Sequence, residues 1–247
     1  MLIFSQVATN VGLRQGKLII VVKDGPGFYT TRLLAPMLLE AVLLFQEGIT
    51  PTRMDKVTKN FGWPVGMATL SDEVGLDVAL HVATDLEKRL GDRIKSGNVN
   101  LLKDLVDSNF LGRKTGKGLF VYGAGNKSER FENPDLSKIM DKYKIQSADI
   151  SDEDIQFRLF SRFVNEAVLC LEEGILTNGP LEGDIGAVFG LGFPPNFGGP
   201  FRYLDLYGAG NLVKKMEEFQ KIHPNQFKPC NLLMEHAKDD SKKFHRN

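Results

Sequence analysis

LLEAVLLFQEGI at residues 38–49 and VNEAVLCLEEGI at residues 164–175 are one helical pattern written twice, with seven of twelve positions identical at a constant offset of 126. Working outward, the same offset aligns Arg32 with Arg158. Downstream the offset drifts by a few residues. Asp55 then parallels Asp184, Gly62-Trp63-Pro64 parallels Gly192-Phe193-Pro194, and Asp72 to Gly75 parallels Asp205 to Gly208. Two amphipathic helices could share the first block by coincidence, but ordered matches over roughly 45 residues indicate duplication. The chain is read as two related helical units.

The apolar spacing around each block supports helices. Leu34, Leu38, Val42 and Phe45 line one face of a helix expected over 28–47, ended by Gly48 and interrupted by Pro36, where a kink is expected. Thr50-Pro51 supplies an N-cap and a first-turn proline for a second helix, whose stripe is Met54, Val57 and Phe61. Further helices are expected near 77–90 and 98–107. In the second unit Ser151 caps a helix with Asp152, Glu153 and Asp154 in its first turn and an apolar stripe from Ile155 to Ile175. Polar residues 123–150 read as a linker with a short amphipathic piece near 136–143. One element does not fit this helical scheme. KLIIVVK at 17–23 reads as a single buried strand bounded by glycine, with no partner in the sequence beyond the short stretch 119–122.

Composition narrows the functional classes. The 247 residues carry 31 basic and 31 acidic side chains, which argues against nucleic-acid binding through bulk charge. The 42% hydrophobic and 25% charged content is that of an ordinary globular protein. The longest apolar stretch, 33–45, falls short of the ~20 residues of a membrane span, so none is expected. Cys170 and Cys230 are too few and too far apart for a disulfide scaffold or a metal knuckle. The four histidines show no metal spacing.

Two glycine-rich stretches invite a nucleotide reading. GRKTGKG at 112–118 fails the P-loop spacing and lacks the terminal Ser or Thr; it is expected to be a basic surface turn, the alternative being that Arg113, Lys114 and Lys117 touch a phosphate-bearing ligand. GLGFPPNFGGP at 190–200 joins no strand to a helix, and its prolines remove amide donors a phosphate would need. No catalytic constellation is complete within the chain.

Several long motifs occurring in order carry a resemblance. VKDGPGFYTTRLL (22–34), the EAV…EGI helix, GWPVG (62–66), FLGRKTGKGLFVY (110–122), DEDIQFR (152–158) and LEGDIGAVFGLGFPP (181–195) together resemble the C-terminal region of the NAD-dependent 3-hydroxyacyl-CoA dehydrogenases. More closely, the chain resembles the C-terminal third of the mitochondrial trifunctional-enzyme alpha subunits. The resemblance implies a mainly α fold of two tandem dehydrogenase C-terminal-type units packed as a pseudo-dimer. Residues 1–23 would be the remnant of a Rossmann domain, 24–122 the first unit, 123–150 the linker and 151–247 the second unit.

The resemblance also implies oxidation of 3-hydroxyacyl-CoA to 3-ketoacyl-CoA in fatty-acid β-oxidation, with NAD bound in the full-length enzyme and not on this chain. The family's glycine-rich loop, its catalytic His–Glu pair and its serine lie upstream, so no catalytic, cofactor or metal residue is expected here and the isolated chain is expected to be inactive. One substrate-binding candidate carries over. The family's Asn before the motif arginine is replaced by Thr31, ahead of Arg32. Implied partners are the acyl-CoA substrate, a thiolase β subunit and a homo-oligomer, and the implied location is mitochondrial. The alternative is a non-catalytic assembly module derived from that enzyme.

Overall fold

The computed structural model describes residues 2–123, 129–146 and 149–245. Helix α1 (Leu2–Arg14) leads through an extended segment to α2 (Thr30–Gln46), then α3 (Pro51–Phe61), α4 (Met67–Val74), α5 (Leu76–Leu90) and α6 (Asn100–Asp107). A small antiparallel hairpin follows, β1 (Phe120–Tyr122) and β2 (Arg130–Glu132), with Phe120 opposite Glu132. After α7 (Leu136–Met140) comes the second unit: α8 (Asp152–Glu172), α9 (Pro180–Leu191), α10 (Pro200–Tyr207), α11 (Ala209–Gln220) and α12 (Asn231–Ala237). The expected caps form, since Thr50 accepts from the Arg53 amide at 3.3 Å and Ser151 from the Asp154 amide at 3.0 Å.

Helices α2 and α8 run antiparallel through the centre. Arg32 pairs with Glu166 at 2.6 Å and Glu173 at 2.5 Å, while Arg158 pairs with Glu40 and Glu47, each at 2.5 Å. By the offset of 126 these are the same pairs exchanged, so the duplicated sequence has folded around a local two-fold axis. The turns repeat the exchange. A Cβ on Gly62 would lie 3.1 Å from the Pro194 ring, and one on Gly192 would lie 2.9 Å from the Pro64 ring. Val42 and Val168 are both buried, and one continuous apolar core holds residues from both units. Each arginine is buried among carboxylates that need its charge, so the pairs fix register more than they add stability.

The structure departs from the sequence reading in three places. Residues 17–23 form no ladder and are not buried on both faces. Val22 makes a single bridge to Leu176, the Lys23 amide donates to the Ile175 carbonyl at 2.9 Å, and only Ile20 and Val22 turn inward while Leu18, Ile19 and Val21 are exposed. The segment is therefore the docked edge of the second unit. Before it, α1 is a helix that the sequence reading did not contain. The polar stretch 123–150 is largely packed. Arg130 reaches Asp55 at 2.8 Å, and Leu136 and Ile139 enter the core, although residues 124–128 and 147–148 lie outside the described residues.

Candidate active-site face

Thr31 stands in the first turn of α2, exposed, at the mouth of a cavity of about 250 Å³. The wall is apolar: Leu38 from α2, Val78 and Ala83 from α5, Leu102 from α6, and Leu191 from the far end of α9. The local sequence dictates this arrangement. Gly27 (φ +70°) and Phe28 (φ +49°) reverse the chain so that Thr30 and Thr31 open the helix facing the cavity. The Thr31 hydroxyl makes no hydrogen bond among the described residues, so it can donate to a ligand's oxygen. An apolar recess with a few polar groups at its rim suits an aliphatic tail carrying a polar head. Leu191 joins this wall from the second unit, a contribution the sequence reading missed.

The remaining motifs are structural. In GRKTGKG, Arg113 pairs with Glu73, Lys114 with Asp77, and Lys117 with Asp135 at 2.7 Å, while Gly118 lies against Asp72. Its cations are committed to carboxylates within the chain. Cys170 and Cys230 are buried and unpaired, and burial pushes each thiol up to about 12. His223 faces Glu47 at 3.4 Å. Burial alone would raise the Glu47 carboxyl, yet the hydrogen bonds from His223 and Arg158 carry it below its usual range. His245, which the sequence reading left among polar tail residues, sits between Asp205 (2.8 Å) and Asp184 (3.1 Å). Among the described residues, no group of His, Cys, Asp and Glu forms a metal site, and no helix is long and apolar enough to cross a membrane.

The family model of the 3-hydroxyacyl-CoA dehydrogenase C-terminal domain matches residues 27–122, which hold Thr31 and most of the cavity wall. Residues 27–122 belong to the C-terminal domain family of the 3-hydroxyacyl-CoA dehydrogenases. The fatty acid oxidation complex alpha subunit of Shewanella frigidimarina is 42% identical over 237 residues, covering 95% of this chain and 33% of the relative. That of Shewanella loihica is 43% identical over 238 residues, with 96% and 33% covered. The chain spans about a third of the length of the curated relatives it matches.

Among solved structures, 3-hydroxybutyryl-CoA dehydrogenase from Escherichia coli superposes with TM-score 0.74 at 20% identity, covering 94% of this chain and 64% of that one. That similarity shows the fold. The dehydrogenase part of multifunctional enzyme 1 from C. elegans gives 0.65 at 26% identity, covering 90% and 50%. The mitochondrial location implied by the resemblance is overturned, because these Shewanella relatives are bacterial proteins and bacteria have no such compartment.

The dehydrogenase family uses NAD in its full-length members. The described residues do not fit that group. The sheet is a two-stranded hairpin with no glycine loop leading into a helix, and the basic turn at 112–118 is closed by its own ion pairs.

Proposed function

We propose that this chain is the C-terminal, substrate-side region of an NAD-dependent 3-hydroxyacyl-CoA dehydrogenase of fatty-acid oxidation, the reaction being conversion of 3-hydroxyacyl-CoA to 3-ketoacyl-CoA. The observation that carries this reading is the apolar cavity with Thr31 at its rim, built almost wholly from the family's domain. The cavity takes the acyl tail, and the Thr31 hydroxyl donates to an oxygen near the thioester, standing where simpler members place an amide. Thr is shorter than Asn and offers one donor, so it orients the head without clamping it. Residues 1–23 are the end of the dinucleotide-binding domain, and the general base and NAD belong to the part upstream. A thiolase subunit and a second copy of the protein remain the partners the family reading suggests.

Titration of the purified chain with octanoyl-CoA, followed by calorimetry, tests the assignment. Saturable binding is expected, abolished by Ala83→Trp, which fills the cavity, and weakened by Thr31→Val. Absence of binding, or binding indifferent to Ala83→Trp, would remove the basis for the reading. The chain alone is also expected to give no NADH from 3-hydroxyacyl-CoA.

A further inference from the structure

Helix α9 shows glycine at three positions of one face, Gly183, Gly186 and Gly190. The turn leading into α2 lies on that face. Ile20 and the Tyr29 ring together cover Gly186, where an added Cβ would sit 2.6 Å from Ile20 Cδ1 and 3.3 Å from the ring carbons; Phe201 and Leu176 share the cover of Gly183, whose carbonyl accepts from the Tyr29 hydroxyl at 3.0 Å. The Thr30 methyl stands 3.2 Å from the place of a Gly190 Cβ. Tyr29 is fully buried, and burial keeps its phenol protonated and therefore a donor.

The duplication supplies an internal control. By the Asp55/Asp184 alignment, the matching positions of α3 are Met54, Val57 and Phe61, and the residue of α8 matching Tyr29 is Ile155. Met54, Val57 and Ile155 are buried, and the Phe61 ring meets Phe160 at 4.8 Å. In the first unit, bulk sits on the helix and the facing element carries Ile. In the second unit, the helix is bare and the facing turn carries Tyr. Volume has moved from helix to turn. Packing alone does not call for this, since each helical glycine costs about 0.8–1 kcal/mol relative to alanine. What the exchange provides is a fixed position for a turn that holds Phe28 in the left-handed region and ends on Thr31 at the cavity mouth.

We infer that Tyr29 and the glycine face of α9 are positioning elements: the second unit sets where Thr31 stands, and Leu191 at the end of the same helix completes the cavity, so the acyl thioester is held by both units. This rests on the acyl-CoA reading above.

The test is hydrogen exchange of the amides in 27–33 alongside octanoyl-CoA affinity, in wild type, Tyr29→Phe, Gly186→Ala and Leu212→Ala. Leu212→Ala loosens the core of α11, which packs against α8, α10 and α12. Tyr29→Phe keeps the ring and removes one hydrogen bond, so exchange in the turn should rise about three- to tenfold and affinity should fall by a similar factor. Gly186→Ala should do the same, and Leu212→Ala should change neither selectively. Unchanged turn exchange in Tyr29→Phe and Gly186→Ala, or equal loosening by Leu212→Ala, would overturn the positioning role. Faster turn exchange in a protein whose wild type binds no octanoyl-CoA would uphold the role of α9 on the turn and sink the acyl-CoA reading.

Discussion

In the first unit the Asp72 carboxylate accepts from the amides of Leu119 (2.8 Å) and Phe120 (2.9 Å) and from the Tyr122 hydroxyl (2.8 Å). In the second, Asp205 accepts from the amides of Phe244 (2.7 Å) and His245 (3.0 Å) and from the His245 ring (2.8 Å). The repeat equates these aspartates, and both fasten the segment that closes their unit. The preceding aspartates match as well. Asp55 accepts from the Thr69 amide at 3.0 Å and Asp184 from the Phe201 amide at 2.8 Å, each anchoring the start of a short helix. The cation differs. Arg130 serves Asp55, a charge that is permanent, whereas His245 serves Asp184 and Asp205, a charge that can be lost. Duplication has kept the anchoring carboxylates and let their counter-ions diverge.

The largest test of this comparison asks whether the two units are halves of one fold. Val42→Asp and Val168→Asp each put a carboxylate into the shared apolar core, where it has no partner. Each should cost upwards of about 4 kcal/mol, a size reserved for such core defects. Calorimetry should show one cooperative transition moved down for either variant. Two transitions, with only the altered half affected, would make the units independent domains.

A smaller effect probes the central ion pairs. Arg158→Met leaves Glu40 fully buried and Glu47 nearly so, and should cost about 3 kcal/mol by urea unfolding. Arg32→Met should cost roughly half as much, because Arg93 also reaches Glu166 (3.3 Å) and Glu173 (2.6 Å), and Glu173 is partly exposed. Equal costs would show that Arg93 is not the reserve partner that the geometry makes it.

These pairs also mark how far the sequence could be read. The repeat, its helices and the equivalence of Arg32 with Arg158 are visible in the residues, because apolar periodicity and identity are local signals. That Arg32 meets Glu166 and not Glu40, its neighbour on the same helix, is a fact of crossing geometry with no local signal. Helix α1 was missed because its exposed, β-branched sequence has the pattern of neither a buried stripe nor a strand. The strand at 17–23 was misjudged for the opposite reason. Its apolar run suggests burial on both faces, but inward and outward residues alternate once it docks on the second unit. Thr31 is found through a motif, whereas the parts of Tyr29 and Leu191 depend on the approach of α2 and α9 across more than 150 residues of sequence. The one available signal is the glycine spacing of α9, which the sequence reading takes only as part of the motif at 181–195.

A still smaller effect separates the units by pH. Burial raises the Asp184 carboxyl to about 6, with the amides of Phe201 and Arg202 and the facing His245 opposing the rise. A carboxyl raised above its unfolded value of 3.8 binds its proton more tightly in the folded chain, so its contribution to stability falls as pH climbs from about 4 to 6. Glu47 and Glu173 act oppositely: their lowered carboxyls stabilise at neutral pH and lose that contribution as pH falls through their folded values. The stability advantage of wild type over Asp184→Asn should therefore shrink between about pH 4 and 6 in denaturant titrations. An advantage that grows across that range would place the cluster's proton elsewhere.

The smallest expected effect concerns the chain's first residues, which belong to neither unit's repeat. Phe4, Val7, Val11 and Leu13 of α1 are exposed, and an uncovered apolar helix face favours self-association. Removing residues 1–16 takes away this surface and, among the described residues, no buried side chain, so the melting midpoint should hold while light scattering at high concentration falls. Extending the deletion through residue 22 removes Ile20 and Val22 from their places against Gly186 and Leu176. Their partial burial contributes about 1–3 kcal/mol together, so the longer deletion should lower the midpoint where the shorter does not. If both deletions leave the midpoint unchanged, the edge at 17–23 contributes nothing to the second unit. If both lower it equally, α1 is packed more firmly than its exposed face implies.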